Sequence, residues 1–283
     1  MKRMILPVLS GLVLATGLFA QAPKLTTPAA SPACTLKQRV GLTDIEVTYS
    51  RPSAKGRKVF GELVPYGEVW RAGANASTKV SFSTAVKLNG AAIPAGTYAM
   101  YAIPGEKEWT VIIDKDTSLW GAYNYDPKGD LVRFSAIPQA LDHPVETFSI
   151  GFDNLRDESA TLCLCWEKTC VPLKLEVSVV EPVLAQIKAA MASSGKKPYA
   201  PAAQFYLEHG MDLKQAMAWV DAAIAEKETF GIVYLKAKIL AKAGDKVGAV
   251  AAAKHSIELA GKVEGAVKEE YIRLNNELIS SLH

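Results

Sequence analysis

Two groups of side chains in this sequence have types and spacings suited to chemistry. The first lies in "YSRPSAKGRKVFGELVPYGEVWRAGAN", from Tyr49 to Asn75. Its 27 residues carry five basic side chains (Arg51, Lys55, Arg57, Lys58, Arg71), four glycines, two prolines and one tryptophan. Arginine presents a planar fork that matches a carboxylate, phosphate or sulfate, and lysine presents a point charge. Tyr66 and Trp70 offer ring faces to a sugar or an aromatic group, and Asn75 adds two donors and an acceptor. Arg51, Arg57, Tyr66, Trp70, Arg71 and Asn75 are therefore the candidate contacts for a small anionic or glycan-like ligand. A packing role for the same stretch stands beside this reading. Pro52, Gly56, Pro65 and Gly67 are turn formers. Phe60, Leu63, Val64 and Trp70 would pin the stretch to a core, and Arg71 would cap carbonyls or pair with Glu62 or Glu68.

The second group is the cysteines, Cys34, Cys163, Cys165 and Cys170. "CLCWEKTC" reads as a hairpin turning at Glu167–Lys168, which sets Cys165 across from Cys170 as a close pair. A Cys165–Cys170 disulfide is expected. Cys163 shares a face with Cys165 and is open to meeting Cys34, but the sequence assigns neither of these two a partner. A zinc site is the weaker reading, because no histidine is near and the ligand spacing is wrong.

Elsewhere the residues give little catalysis. His143, in the turn-like "LDHPV", is the sole histidine before the C-terminal region, and neither Ser53 nor Asp142 forms a recognisable triad with it. No catalytic residue is assigned. "DKDTSLWGAYNYDPKGD" offers Asp114, Asp116, Asp126 and Asp130 for calcium, but leucine stands where a calcium loop needs glycine and tyrosine where it needs glutamate. No metal and no cofactor is expected.

The elements that must position these residues change character along the chain. "MKRMILPVLSGLVLATGLFA" has two basic residues and then a short, interrupted apolar run, the pattern of a signal peptide cut after Ala20. Residues 21–33, rich in proline, alanine and threonine, read as a flexible leader. The chain is thereby expected to be exported, to the periplasm or beyond, with no transmembrane segment once cut. The formal charge of +3 for all 283 residues falls to (32 − 2) − 29 = +1 without the leader peptide, which argues against a nucleic-acid partner.

From 34 to 180 the pattern is strands. "DIEVTYS" alternates, Asn89–Gly90 is a hairpin signal, and turns recur every 8–12 residues. This predicts an antiparallel β-sandwich with eight to ten strands. Trp109, Trp120 and Trp166 are expected to pack in its core or at its edges. From 181 to 283 the period is helical, and two segments resemble one another, with Gly210 and Gly244 34 residues apart. They are similar to tetratricopeptide units, with the last helix as a cap. Tyr206, Trp219 and Tyr234 are expected between helices, and this tail is the candidate surface for a protein partner. The fold class is α+β, a sandwich followed by a short helical hairpin-repeat tail.

The Tyr49–Asn75 stretch, "PAGTYAMYAIPGEKEWTVIID" and Trp120–Gly121, in that order, resemble the family called domain of unknown function 2911. The resemblance covers about Ser31 to Val180. It implies an exported, β-rich domain with no established reaction. The expected function is thus a cell-envelope protein that binds a ligand or acts as a protein-interaction scaffold without catalysis. The alternative is a hydrolase or carbohydrate-processing enzyme using the 49–75 loop.

Overall fold

A computed structural model describes residues 25–282. The expected signal peptide and the first residues of the leader lie outside the described residues. Ten strands precede six helices, as the α+β reading requires. The strands are β1 (Ala33–Val40), β2 (Thr43–Ser50), β3 (Thr78–Phe82), β4 (Val86–Leu88), β5 (Ala91–Ile93), β6 (Gly96–Ile103), β7 (Trp109–Asp114), β8 (Asp130–Ala136), β9 (Gln139–Asp153) and β10 (Ser159–Val177). They form two antiparallel sheets, ordered β1-β2-β3-β6-β7-β8 and β5-β4-β10-β9. One core draws on both: Val47, Val80 and Ile113 from the first, and Ile150, Leu162 and Leu175 from the second. Strict alternation produces this. In β2, Ile45, Val47 and Tyr49 are buried while Asp44, Glu46 and Thr48 are not, because successive side chains leave opposite faces of a strand.

Two turns follow directly from local chemistry. Asn89 and Gly90 take φ of 45° and 84°, the left-handed pair that joins β4 to β5. The second turn lies inside β10. Cys165 and Cys170 have Cα atoms 4.0 Å apart and are joined by a disulfide, whereas a straight strand would separate them by about 17 Å. Val177 N–H also bonds the carbonyl of Glu158 at 2.9 Å. The two halves of β10 are thus arms of a hairpin that turns at Glu167, with φ of 52°. The arms have different neighbours. Residues 161–165 pair with Asp153–Ser149 of β9, and Leu175–Val177 pair with β4. The start of β9 wraps the tip, pairing Val145 with Glu167 and Ala140 with Thr169.

The pairing left open for Cys163 and Cys34 does not form: both are free thiols. Cys34 pairs with Tyr49 in β1–β2 and packs against the core. Cys163 alternates with buried Leu162 and Leu164, so it leaves the opposite face of the other sheet. The tryptophans also divide. Trp109 and Trp166 are buried, while Trp120 is 66% exposed. "LDHPV" is no turn; His143 lies exposed within β9.

The helices are α1 (Val180–Ala192), α2 (Tyr199–Glu208), α3 (Leu213–Glu226), α4 (Phe230–Lys242), α5 (Lys246–Ala260) and α6 (Ala266–Ser281). From α2 onward each packs on the next, and α2 meets α4 as α4 meets α6. The turns at Gly210 and Gly244 need positive φ, 63° and 86°. Asp212 then caps α3 through Lys214 and Gln215 N–H, and Asp245 caps α5 through Gly248 N–H. Alanines at the crossings, including Ala203, Ala216, Ala249 and Ala253, are buried and let the helices approach closely. Tyr206 and Trp219 pack against the α2–α4 core, and Tyr234 meets Tyr271 of α6. Val183 of α1 and Phe205 of α2 touch the β core. Among the described residues no helix is long and apolar enough to cross a membrane.

Candidate ligand cleft

The 49–75 stretch connects β2 to β3, which are neighbours, yet it detours through both sheets. Pro52 accepts from Phe148 N–H and Ala54 N–H donates to Glu146, each at 2.8 Å, which ties it to β9. Trp70 then exchanges two backbone bonds with Ala102 of β6, at 2.7 and 2.8 Å. Between these anchors Val59, Phe60 and Val64 turn inward and are buried. Their turn is held by Val59 N–H donating to the Glu167 carboxylate at 3.0 Å.

Trp70 is 8% exposed. It packs edge-on to Phe60, Trp109 and Phe148 and stacks on Trp166 with ring centroids 6.0 Å apart. Its indole N–H donates to the Gly73 carbonyl at 3.1 Å. The chain must therefore curl sharply just after Trp70. Ala72 takes φ of 50°, and a Cβ at Gly73 would stand 2.9 Å from the Ser50 carbonyl, so only glycine fits.

Beside this curl lies a cleft of about 280 Å³. Trp70 and Trp166 give it an apolar lining, and Arg57, Arg71, Glu68 and Leu63 bring it polar and aliphatic edges. Two arginines reach it from different turns. Arg57 is fixed by the chain itself, with Nε donating to Ala54 O and Nη2 to Ser53 O, both at 2.8 Å. Arg71 donates from Nη1 to the Asn75 carbonyl at 3.3 Å, and its guanidinium lies 5.7 Å from the centre of the Tyr123 ring. Gly121 makes room for it, since a Cβ there would meet Nη1 at 2.5 Å. Among the described residues neither arginine pairs with a carboxylate. The expected Arg71 pairing with Glu62 or Glu68 does not form; Glu62 faces Lys58 at 3.7 Å.

Of the six candidates, Arg57, Trp70 and Arg71 line the cleft and three do not. Arg51 donates Nε to the Phe148 carbonyl at 3.0 Å. Asn75 uses its amide to tie Ser31 O and Ser50 Oγ, each at 3.2 Å. Tyr66 lies exposed over Gly61, away from the lining. Sequence reasoning missed Trp166 and Glu68 as lining residues. Trp166 is almost 100 positions from Trp70, and no local signal joins them. It also missed Tyr123, 80% exposed, which lies against the Arg71 guanidinium outside the cleft.

The other candidates have local tasks. Ser53 Oγ meets Thr147 Oγ1 at 3.0 Å rather than a histidine. Among the described residues no cluster of acidic, histidine or cysteine side chains is arranged for a metal. Asp116 accepts from Ser118, Asp126 caps Lys128 N–H, and Asp130 takes bonds from Tyr125 and Arg133. Asp114 is buried, and burial pushes its carboxyl above the usual range against the bond from Asp116 N–H, with neighbouring Asp130 adding to the rise.

Residues 31–175, just over half of the 283, match the family model described as "Protein of unknown function (DUF2911)". Neither the curated proteins nor the solved structures contain a match.

Proposed function

The chain belongs to the DUF2911 family, described only as proteins of unknown function, and from that premise we propose that it is a non-catalytic binding protein with a cleft for a small anionic or acidic-sugar ligand. One observation carries the reading. Arg57 and Arg71 edge the same aromatic-lined cleft, and neither has its charge neutralised by a carboxylate. Guanidinium groups held by backbone carbonyls are pre-organised for a carboxylate, so little conformational entropy is lost on binding. A volume near 280 Å³ suits a ligand of monosaccharide size. No histidine or cysteine is among the cleft's lining residues, and no observation favours the hydrolase alternative.

The setting we propose is the cell envelope, periplasmic or extracellular. The N-terminal signal pattern and a disulfide, which persists in oxidising compartments, support it. The paired helices α2–α3 and α4–α5, with glycine turns 34 residues apart, support a tetratricopeptide-like tail that meets a protein partner.

The test is a thermal-shift screen of small mono- and dicarboxylates and of glucuronate and galacturonate. A binder present at 100 times its Kd stabilises by about 2.7 kcal/mol. Wild type should show such a shift, and Arg57→Ala and Arg71→Ala should lose it while melting near the wild-type temperature without ligand. A shift that survives both substitutions would remove the cleft from the reading.

A further inference from the structure

The disulfide encloses a turn that holds the cleft together. Inside the bridge between Cys165 and Cys170 lie Trp166 and Glu167. Trp166 is 2% exposed, lines the cleft, stacks on Trp70 and donates its indole N–H to the Glu146 carbonyl at 3.1 Å. Glu167 accepts the Val59 amide at 3.0 Å. Glu146 in turn takes the Ala54 amide on its carbonyl and the Lys55 amide on Oε1, both at 2.8 Å. Residues 52–59 of the loop are therefore anchored through a covalently closed turn and the β9 segment wrapped around it. That turn is conformationally strained, because Glu167 sits at φ of 52°, where a residue with a Cβ is disfavoured. The bridge is also reachable: Cys165 is only half-buried. Cys163, two residues earlier on the same face, remains a thiol, and burial with nearby Asp153 pushes it to about 11. It is thus a poor internal nucleophile at neutral pH.

We propose that the Cys165–Cys170 bridge is a redox latch on the cleft, and that its reduction frees the Trp166–Glu167 turn and with it the Val59–Val64 part of the loop. The reductant is a dithiol. Its thiolate attacks Sγ of Cys165, the S–S bond breaks, and Cys170 leaves as a thiolate that takes up a proton. The second thiol of the reductant then displaces Cys165 as a thiol and closes the reductant's own disulfide, a two-electron, two-proton exchange. With the turn open, Glu167 relaxes from its left-handed conformation, Val59 N–H loses its acceptor and Trp166 is no longer held against Trp70. The consequence for binding rests on the cleft being the ligand site; the latch itself does not.

The experiment uses the chain from residue 21 to 283 with Cys34→Ser and Cys163→Ser, so that only the bridge can supply thiols. Dithiothreitol is titrated while alkylation counts thiols by mass, and hydrogen exchange reads the Val59 amide. The expected result is two new thiols and at least tenfold faster exchange at Val59, with amides of α3–α5 unchanged. Glu167→Ala in the oxidised protein should speed Val59 exchange to a similar degree, and reduction should add little more. Cys165→Ser with Cys170→Ser should behave as the reduced form. The latch is overturned if Val59 exchange is the same in both redox states, if the bridge opens only with global unfolding, or if reduction speeds Val59 equally with and without Glu167. A failed ligand screen leaves these outcomes intact, so the two readings fail separately.

Discussion

Trp70 is where the binding role and the packing role of the 49–75 stretch meet. It lines the cleft with one edge while four aromatic rings surround the rest of it. Trp70→Ala should therefore cost about 3–5 kcal/mol, read as a lowered urea midpoint, which makes it a poor probe of binding. Arg57 and Arg71 are the cleaner probes, since they bond only loop carbonyls, two for Arg57 and one for Arg71, and neither sits in the core. Asp114 carries a pH signature. Its folded pKa lies above its unfolded value, so its favourable contribution is complete below the unfolded carboxyl range and is lost as pH rises through the folded value. Asp114→Asn keeps an oxygen for the Asp116 amide and cannot ionise. The variant should gain stability relative to wild type as pH climbs from about 4 to 7, measured by denaturation at each pH. A difference that stays flat across that range would mean that folding does not raise the Asp114 carboxyl.

At the scale of elements, the long connection from β2 to β3 behaves as a strap. It borrows bonds from β9 and β6 because its own sequence offers no partner strand. The helical half uses a different device, a glycine turn followed by an aspartate cap, at Gly210–Asp212 and again at Gly244–Asp245. Asp212→Ala and Asp245→Ala should each lower the stability of the helical part by about 1 kcal/mol. Far-UV circular dichroism during urea unfolding would show it, and equal loss in the β part would contradict a local effect. This repetition was legible in the sequence, since glycine, aspartate and alanine at matched spacings have local physical meanings. The strap was legible only as a stretch lacking period, because its partners lie up to 108 positions away.

For the whole molecule, the β core is nearly self-contained. Apart from Val179, Val183 and Phe205, its members come from residues before 178. The family match ends at 175, close to the same boundary. A chain ending at residue 180 is expected to keep cooperative unfolding, seen as a single sharp transition in near-ultraviolet tryptophan circular dichroism. A broad, non-cooperative loss of signal would show that the helices are needed to complete the core.

The sequence by itself determined the elements and their order. Alternation placed Ile45, Val47 and Tyr49 inward, Asn89–Gly90 forced a hairpin, and Cys165 and Cys170 were near enough along the chain to be paired by their own turn. Each of these is a short-range consequence of backbone geometry. Tertiary structure alone decided which arginines share a cleft, that Trp166 backs Trp70, that Trp120 and Tyr123 face outward, and that Cys34 and Cys163 stay apart. Those outcomes depend on how two sheets face one another across a core. Pairings between distant strands are chosen by the sum of many burial terms, and no single residue's chemistry encodes that sum.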